Sequence, residues 1–248
     1  MNMNYDHWID HFEINRKHRR EPNWGAAFVA SERKRVALAR SLAEYQLGDG
    51  GGECRLIAHD ASTVRGVDEK AARVIDLWFN EEREHSRLLS HAVRRVNGTF
   101  VTSTFAFRLF NRVRRWFGVQ FEMLVLLIVE IVSIGYYRLI QRHCDDEAIA
   151  AMCGLILRDE LGHIAFHASR LRAGRPLWRM PWWHLYFLLL GEACAMFLWH
   201  GHGSDLRAIG ATRSELFREV HEGLTDFLAG LCWASAASEP MQTVEATV

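Results

Sequence analysis

Four long segments of this chain repeat apolar residues at alternating steps of three and four, and each of the four stripes is interrupted by a carboxylate. That period is the mark of an α-helix with one face turned to a core. The fullest case is Ile156 to His167, reading I-L-R-D-E-L-G-H-I-A-F-H, where Glu160, His163 and His167 fall at i, i+3 and i+7 on one face. Ionised carboxylates are strongly unfavourable in a core unless a cation compensates them. The helices must therefore pack around their own acids, and something positive must stand among them.

The first segment runs from near Ser31 to about Asp60, with the stripe Leu38, Leu42, Tyr45, Asp49, Gly52 and Leu56. Gly48-Asp49-Gly50-Gly51-Gly52 interrupts it. Each Gly costs a helix about 0.5–1 kcal/mol relative to Ala, so either the helix breaks there or the backbone must come close to something. The second segment starts after Gly66 with Asp68 as its cap, carries Ile75, Trp78, Glu82, His85 and Leu89, and ends near Asn97-Gly98. The third, about Val119 to His143, is apolar nearly all round with Glu130 at its middle. The fourth, about Asp146 to Arg172, carries Cys153, Ile156, Glu160, His163 and His167.

Around these four, residues 1–30 read as an irregular arm with at most a short helix, and residues 99–117 as a connection. A fifth helix is predicted over Trp183 to Trp199, a Gly-His-Gly turn at 201–203, and a sixth helix over Thr212 to Ser235. The chain shows no strand alternation and no repeat, so the expectation is one all-α domain over 31–235, with a bundle core at 31–172, extra helices at 183–235, and a tail at 236–248.

Two Glu-x-x-His pairs, Glu82-Arg83-Glu84-His85 and Glu160-Leu161-Gly162-His163, share the core-facing stripes. In an antiparallel hairpin, residues equidistant from the turn lie side by side. A turn centred on Asp145 sets Glu130 opposite Glu160, whereas Glu122 misses by about two helical turns. The earlier hairpin sets residues near 44–49 opposite Glu82. Glu44 lies off the first stripe, which leaves Asp49 and Glu53 as alternatives. No Lys or Arg is read on the stripes, so a metal is the economical partner.

The pattern of an acid on helix one, Glu82-x-x-His85 on helix two, Glu130 on helix three and Glu160-x-x-His163 on helix four resembles the ferritin-like, non-haem di-iron carboxylate superfamily. Within it, the stretch Gln46-Leu47-Gly48-Asp49-Gly50 is similar to that of bacterial ferritin-like proteins of unassigned substrate. The resemblance implies a ferritin-like four-helix bundle with additional C-terminal helices. It also implies a pair of irons (manganese is the other metal such donors suit) held by Asp49 or Glu53 with Glu82, His85, Glu130, Glu160 and His163. Where Asp49 is the ligand, the chain departs from the superfamily's usual Glu. The expected function is an O2-activating oxidase or oxygenase, performing hydroxylation, desaturation or N-oxygenation on a small, largely apolar organic substrate with an external electron donor. The alternatives are a di-metal protein handling peroxide or superoxide, and a non-catalytic helical binding protein. His167 reads either as a core histidine or as a third histidine ligand, and Tyr45 and Tyr137 as donors near the ligands or as packing.

Composition narrows the partners. Thirty basic and thirty acidic residues balance, which argues against nucleic acid; the small cluster Arg112, Arg114 and Arg115 reads as solvated surface. Five cysteines without a C-x-x-C, and a polar start at Met1-Asn2-Met3-Asn4-Tyr5-Asp6, fit a reduced cytoplasmic protein. The apolar runs Met123–Ile140 and Leu185–Trp199 carry Glu130 and Glu192 at their centres and read as core helices rather than spans. A membrane-surface role for Trp178 to Trp183 is the lesser reading, and a homodimer is left open.

Overall fold

The computed structural model describes residues 3–50, 68–104, 107–109, 112, 118–174 and 176–233, and among them there is no strand. The helices are α1 (Tyr5–Lys17), α2 (Glu32–Gly50), α3 (Glu69–Arg95), α4 (Val119–His143), α5 (Glu147–Ala173), a 3-10 turn (Pro176–Arg179), α6 (Pro181–Ile209) and α7 (Arg213–Trp233). Two antiparallel pairs, α2 with α3 and α4 with α5, face each other through α3 and α5, and α6 and α7 close the far side against α2 and α4.

The helix starts follow local chemistry. The Asp68 carboxylate accepts from the amides of Lys70 and Ala71 at the head of α3, and Asp146 accepts from Ile149 N at the head of α5. Asp146 also takes two bonds from Arg95, of 2.7 and 2.8 Å, so the cap doubles as a buried ion pair tying α3 to α5. Gly118, at φ +82°, turns the chain into α4 where a side chain would be strained.

Helix α4 is the central element. Fifteen of its residues are buried, from Glu122 to Ile140. It is also the one helix among the described residues long and apolar enough to cross a membrane, but 78% of its apolar window lies inside the protein. Burial of this kind, with a carboxylate at mid-length, is what a bundle's innermost helix requires.

Two expectations are corrected. The predicted turn at Gly201-His202-Gly203 does not form: α6 runs through it and ends at Gly210, which takes φ +111°. A Cβ at Gly203 would meet the Trp199 indole at 2.8 Å, and the His202 ring bonds to Ser41 on α2, so the segment is held as helix by close packing. The leading arm, expected to be irregular with at most a short helix, contains the 13-residue helix α1, whose Trp8 and Phe12 pack with Trp78 of α3 and Phe166 of α5. The continuation of the first segment toward Asp60, part of the 99–117 connection and the tail at 236–248 lie outside the described residues.

Candidate metal centre

Helices α3, α4 and α5 bring Glu82, Glu130, Glu160 and His163 together, with one donor atom from each lying within 4.8 Å of the others. The spacing that put each side chain on a core-facing stripe in the sequence thus places them in one buried group. Glu130 and Glu160 do face each other across the α4–α5 hairpin. Glu122, also buried, is not in the group.

The two carboxylates of the Glu-x-x-His pairs each span two imidazoles. Glu82 turns Oε1 to His163 Nδ1 at 3.1 Å and Oε2 to His85 Nδ1 at 3.9 Å. Glu160 turns Oε2 to His163 Nδ1 at 3.4 Å and Oε1 to His85 Nδ1 at 3.6 Å. Glu130 adds an oxygen 3.9 Å from His163 Nδ1. His167 is fully buried, with Nε2 3.3 Å from the other Glu130 oxygen. Yet Glu82 Oε1, Glu130 Oε2, Glu160 Oε2 and His163 Nδ1 make no hydrogen bond. Close atoms without hydrogen-bond alignment are donors aimed at a common point rather than at each other. A buried group of acids and imidazoles so arranged can hold a metal ion.

What orients the imidazoles was missed in the sequence. His85 Nε2 meets Asp159 Oδ2 at 3.2 Å, and His163 Nε2 meets Glu81 Oε2 at 3.0 Å. Each histidine is thus gripped by the acid preceding the other motif's glutamate, which turns its Nδ1 toward the centre. The signal was present: both motifs read acid-Glu-x-x-His, as Glu81-Glu82 and Asp159-Glu160.

The expectation of stripes free of Lys and Arg is also corrected. Arg170, one further step along the α5 stripe, lies near Glu130, and burial lowers it to about 10. Arg19, from beyond α1, places Nη2 2.5 Å from Asp159 Oδ2 and 3.8 Å from Glu81 Oε1. These guanidiniums compensate the outer acids and one side of Glu130. They do not reach the converging oxygens of Glu82 and Glu160, which face the His163 and His85 imidazoles instead.

The electrostatics follow. Burial raises Glu130 to about 8 and Glu160 to about 7. Glu82 is also pushed up by burial, but His163 and His85 outweigh this and hold it below its usual value. Asp159 is likewise held low against its burial, by His85 and then Arg19 and Arg158. His163 is raised well above its ordinary value because Glu160, Glu81 and Glu82 outweigh its burial, whereas burial, Arg170 and His163 hold His167 neutral.

Helix α1 covers the group. Phe12 lies 6.0 Å from the His163 ring, and Trp78 stands edge-on to His167 at 5.2 Å. A side chain at Gly162 would strike His11 at 2.5 Å, so the glycine inside the second motif lets α1 close over the site.

Of the remaining predicted residues, Tyr45 and Tyr137 pack with Tyr136 in a neighbouring layer. Tyr45 stacks on Tyr136 with ring centres 3.8 Å apart and donates to Ser133 Oγ at 2.8 Å; Tyr137 meets Tyr45 edge-on. The Asp49 side chain and Glu53 lie outside the described residues. Position 49 itself falls in the last turn of α2. No family model, no curated protein and no solved structure matches the chain.

Proposed function

We propose that this chain is a ferritin-like, carboxylate-bridged di-iron protein that activates O2 to oxidise or oxygenate a small, largely apolar organic substrate. The observation that carries the reading is the double span of Glu82 and Glu160. Each offers one oxygen on the His163 side and one on the His85 side, which supports two metal positions sharing both carboxylates. Glu130 and His163 would hold the first metal, with His167 beside them. His85 would serve the second, with the further acid that the resemblance implies, Asp49 or Glu53. Oxygen and imidazole donors without a thiolate suit iron or manganese. Two ferrous ions, when bound, supply the electrons that reduce O2.

The chain's own groups do the rest. Asp159 and Glu81 engage the imidazoles at Nε2, which turns both Nδ1 atoms toward the Glu82 and Glu160 carboxylates. Phe12, Trp78 and Phe166 exclude water and give the reacting volume an apolar wall. Glu130 and Glu160, raised by burial, release their protons when the metals enter.

The test is anaerobic loading of the full chain with ferrous iron, followed by elemental analysis and a measured O2 uptake. Two irons per chain, with O2 consumed in proportion to the ferrous ion, is the expected result. Iron bound without O2 uptake would sink the oxidase reading, and no iron bound would sink the metal centre.

A further inference from the structure

Helix α6 has two apolar faces. One is buried: Phe187, Gly191 and Ala195 pack inward, and a Cβ at Gly191 would meet Leu224 of α7 at 2.4 Å. The other is open. Trp182, Leu185, Tyr186, Leu189, Met196 and Phe197 lie along it, with the small exposed Ala193 between Leu189 and Met196, and the exposure of the six runs from 41% at Tyr186 to 62% at Leu189. The close crossing at Gly191 locks the helix, so it cannot rotate to hide this face.

We infer that this face is a two-fold interface with a second copy of the chain, the two α6 helices crossing antiparallel about Leu189. Area is the first support. The six side chains expose on the order of 100 Å² each, or about 600 Å² per copy, which is about three quarters of the roughly 800 Å² each partner contributes to a stable interface. The largest apolar patch on a typical monomer is about 300–600 Å².

Self-complementarity is the second. From Pro181 to Ser204 the helix carries no Lys or Arg and a single acid. That acid, Glu192, is held to the side by His221 at 2.9 Å. Glu192 borders the stripe one turn after Leu189, and the two-fold sets it against the partner's Tyr186 rather than against its own copy. A helix lying on an anionic membrane needs Lys or Arg flanking its apolar face, and this stretch of α6 has neither. The stripe is also balanced about its most exposed member. An antiparallel crossing at Leu189 sets Trp182 of one copy against the partner's Met196, over a stripe about 22 Å long at 1.5 Å per residue.

The contact does not depend on the metal centre, and it is tested on the metal-free full chain. Sedimentation at about 10 μM, a concentration at which a micromolar interface is mostly formed, should give twice the chain mass of 28.6 kDa. Leu189→Glu sets two carboxylates on the axis and should give a monomer with an unchanged circular dichroism spectrum. Val36→Glu, at an equally exposed apolar position on α2, should leave the dimer intact. Leu189→Cys, opposed to itself across the axis, should form a disulfide-linked dimer on mild oxidation. A monomeric wild type, or a Leu189→Glu variant that stays dimeric, would overturn the inference. So would a monomeric wild type that floats with vesicles of phosphatidylcholine and phosphatidylglycerol, which would give the face to lipid.

Discussion

Around Glu130, and again one to two turns further along α4 around Ser133, Tyr136 and Tyr137, polar groups are buried against the same helix, first between α3, α4 and α5 and then between α2, α4 and α6. In the second layer they satisfy one another. Tyr45 donates to Ser133, and Ser41 Oγ bridges Tyr136 Oη at 2.7 Å and His202 Nδ1 at 2.9 Å. Burial keeps that layer neutral: Tyr136 is raised well above its usual value and His202 is lowered to about 4. In the first layer Glu82 Oε1, Glu130 Oε2, Glu160 Oε2 and His163 Nδ1 converge without hydrogen bonds, and burial raises Glu130 and Glu160 toward neutrality. Equal burial therefore has opposite consequences. A layer with enough donors closes on itself, and a layer of acceptors is incomplete until a cation enters it.

The sharpest way to break this contrast is Glu160→Leu. It should abolish iron loading, read by elemental analysis, and raise the metal-free stability at pH 8 by up to about 3 kcal/mol, because a buried carboxylate is replaced by an apolar group of similar volume. Iron retained at wild-type stoichiometry would refute the assignment.

Acid should separate the layers next. Glu130 and Glu160 must give up protons that they hold until about 8 and about 7. Metal affinity should therefore fall by about tenfold per proton per pH unit as pH drops below 8, measured by competition titration. The metal-free stability has the opposite sign. Both groups have folded values above the ordinary 4.5, so stability is fully present at low pH and is lost as pH rises from there toward 8. His202 stays neutral across the upper part of this window and adds no slope from pH 7 to 8.

Asp159→Asn keeps the shape but removes the charge that grips His85, and should weaken iron binding by about 10–100-fold with little change in helicity. The smallest effect belongs to the satisfied layer. Tyr136→Phe leaves the Ser41–His202 bond without its third member and should cost about 1–3 kcal/mol in chemical unfolding, with iron stoichiometry unchanged. Iron lost in this variant would mean that the two layers are one site.

Much of the first layer was legible because a helical stripe is a local property. The steps of three and four that ran through Trp78, Glu82 and His85, and through Ile156, Glu160 and His163, needed no knowledge of neighbours. The hairpin turn at Asp145 was enough to set Glu130 against Glu160. The second layer was not legible, since Ser41, Tyr136 and His202 lie on three separate helices and each reads as ordinary packing. Gly201-His202-Gly203 misled for a related reason. Glycine is a turn signal in sequence, and only the crowding of Trp199 against Gly203 keeps the backbone helical there.

The sequence by itself determined the helices, the core-facing stripes and the donors on α3, α4 and α5, because periodicity and donor chemistry are written residue by residue. Only the tertiary structure decided which acid steadies which histidine: Glu81 reaches His163, and Asp159 reaches His85, across two helices. It also decided that α1 closes over the centre and that Arg19 and Arg170 compensate its edges but not its middle. Those outcomes depend on distances between segments remote in the chain, and a distance of that kind exists only once the helices have packed.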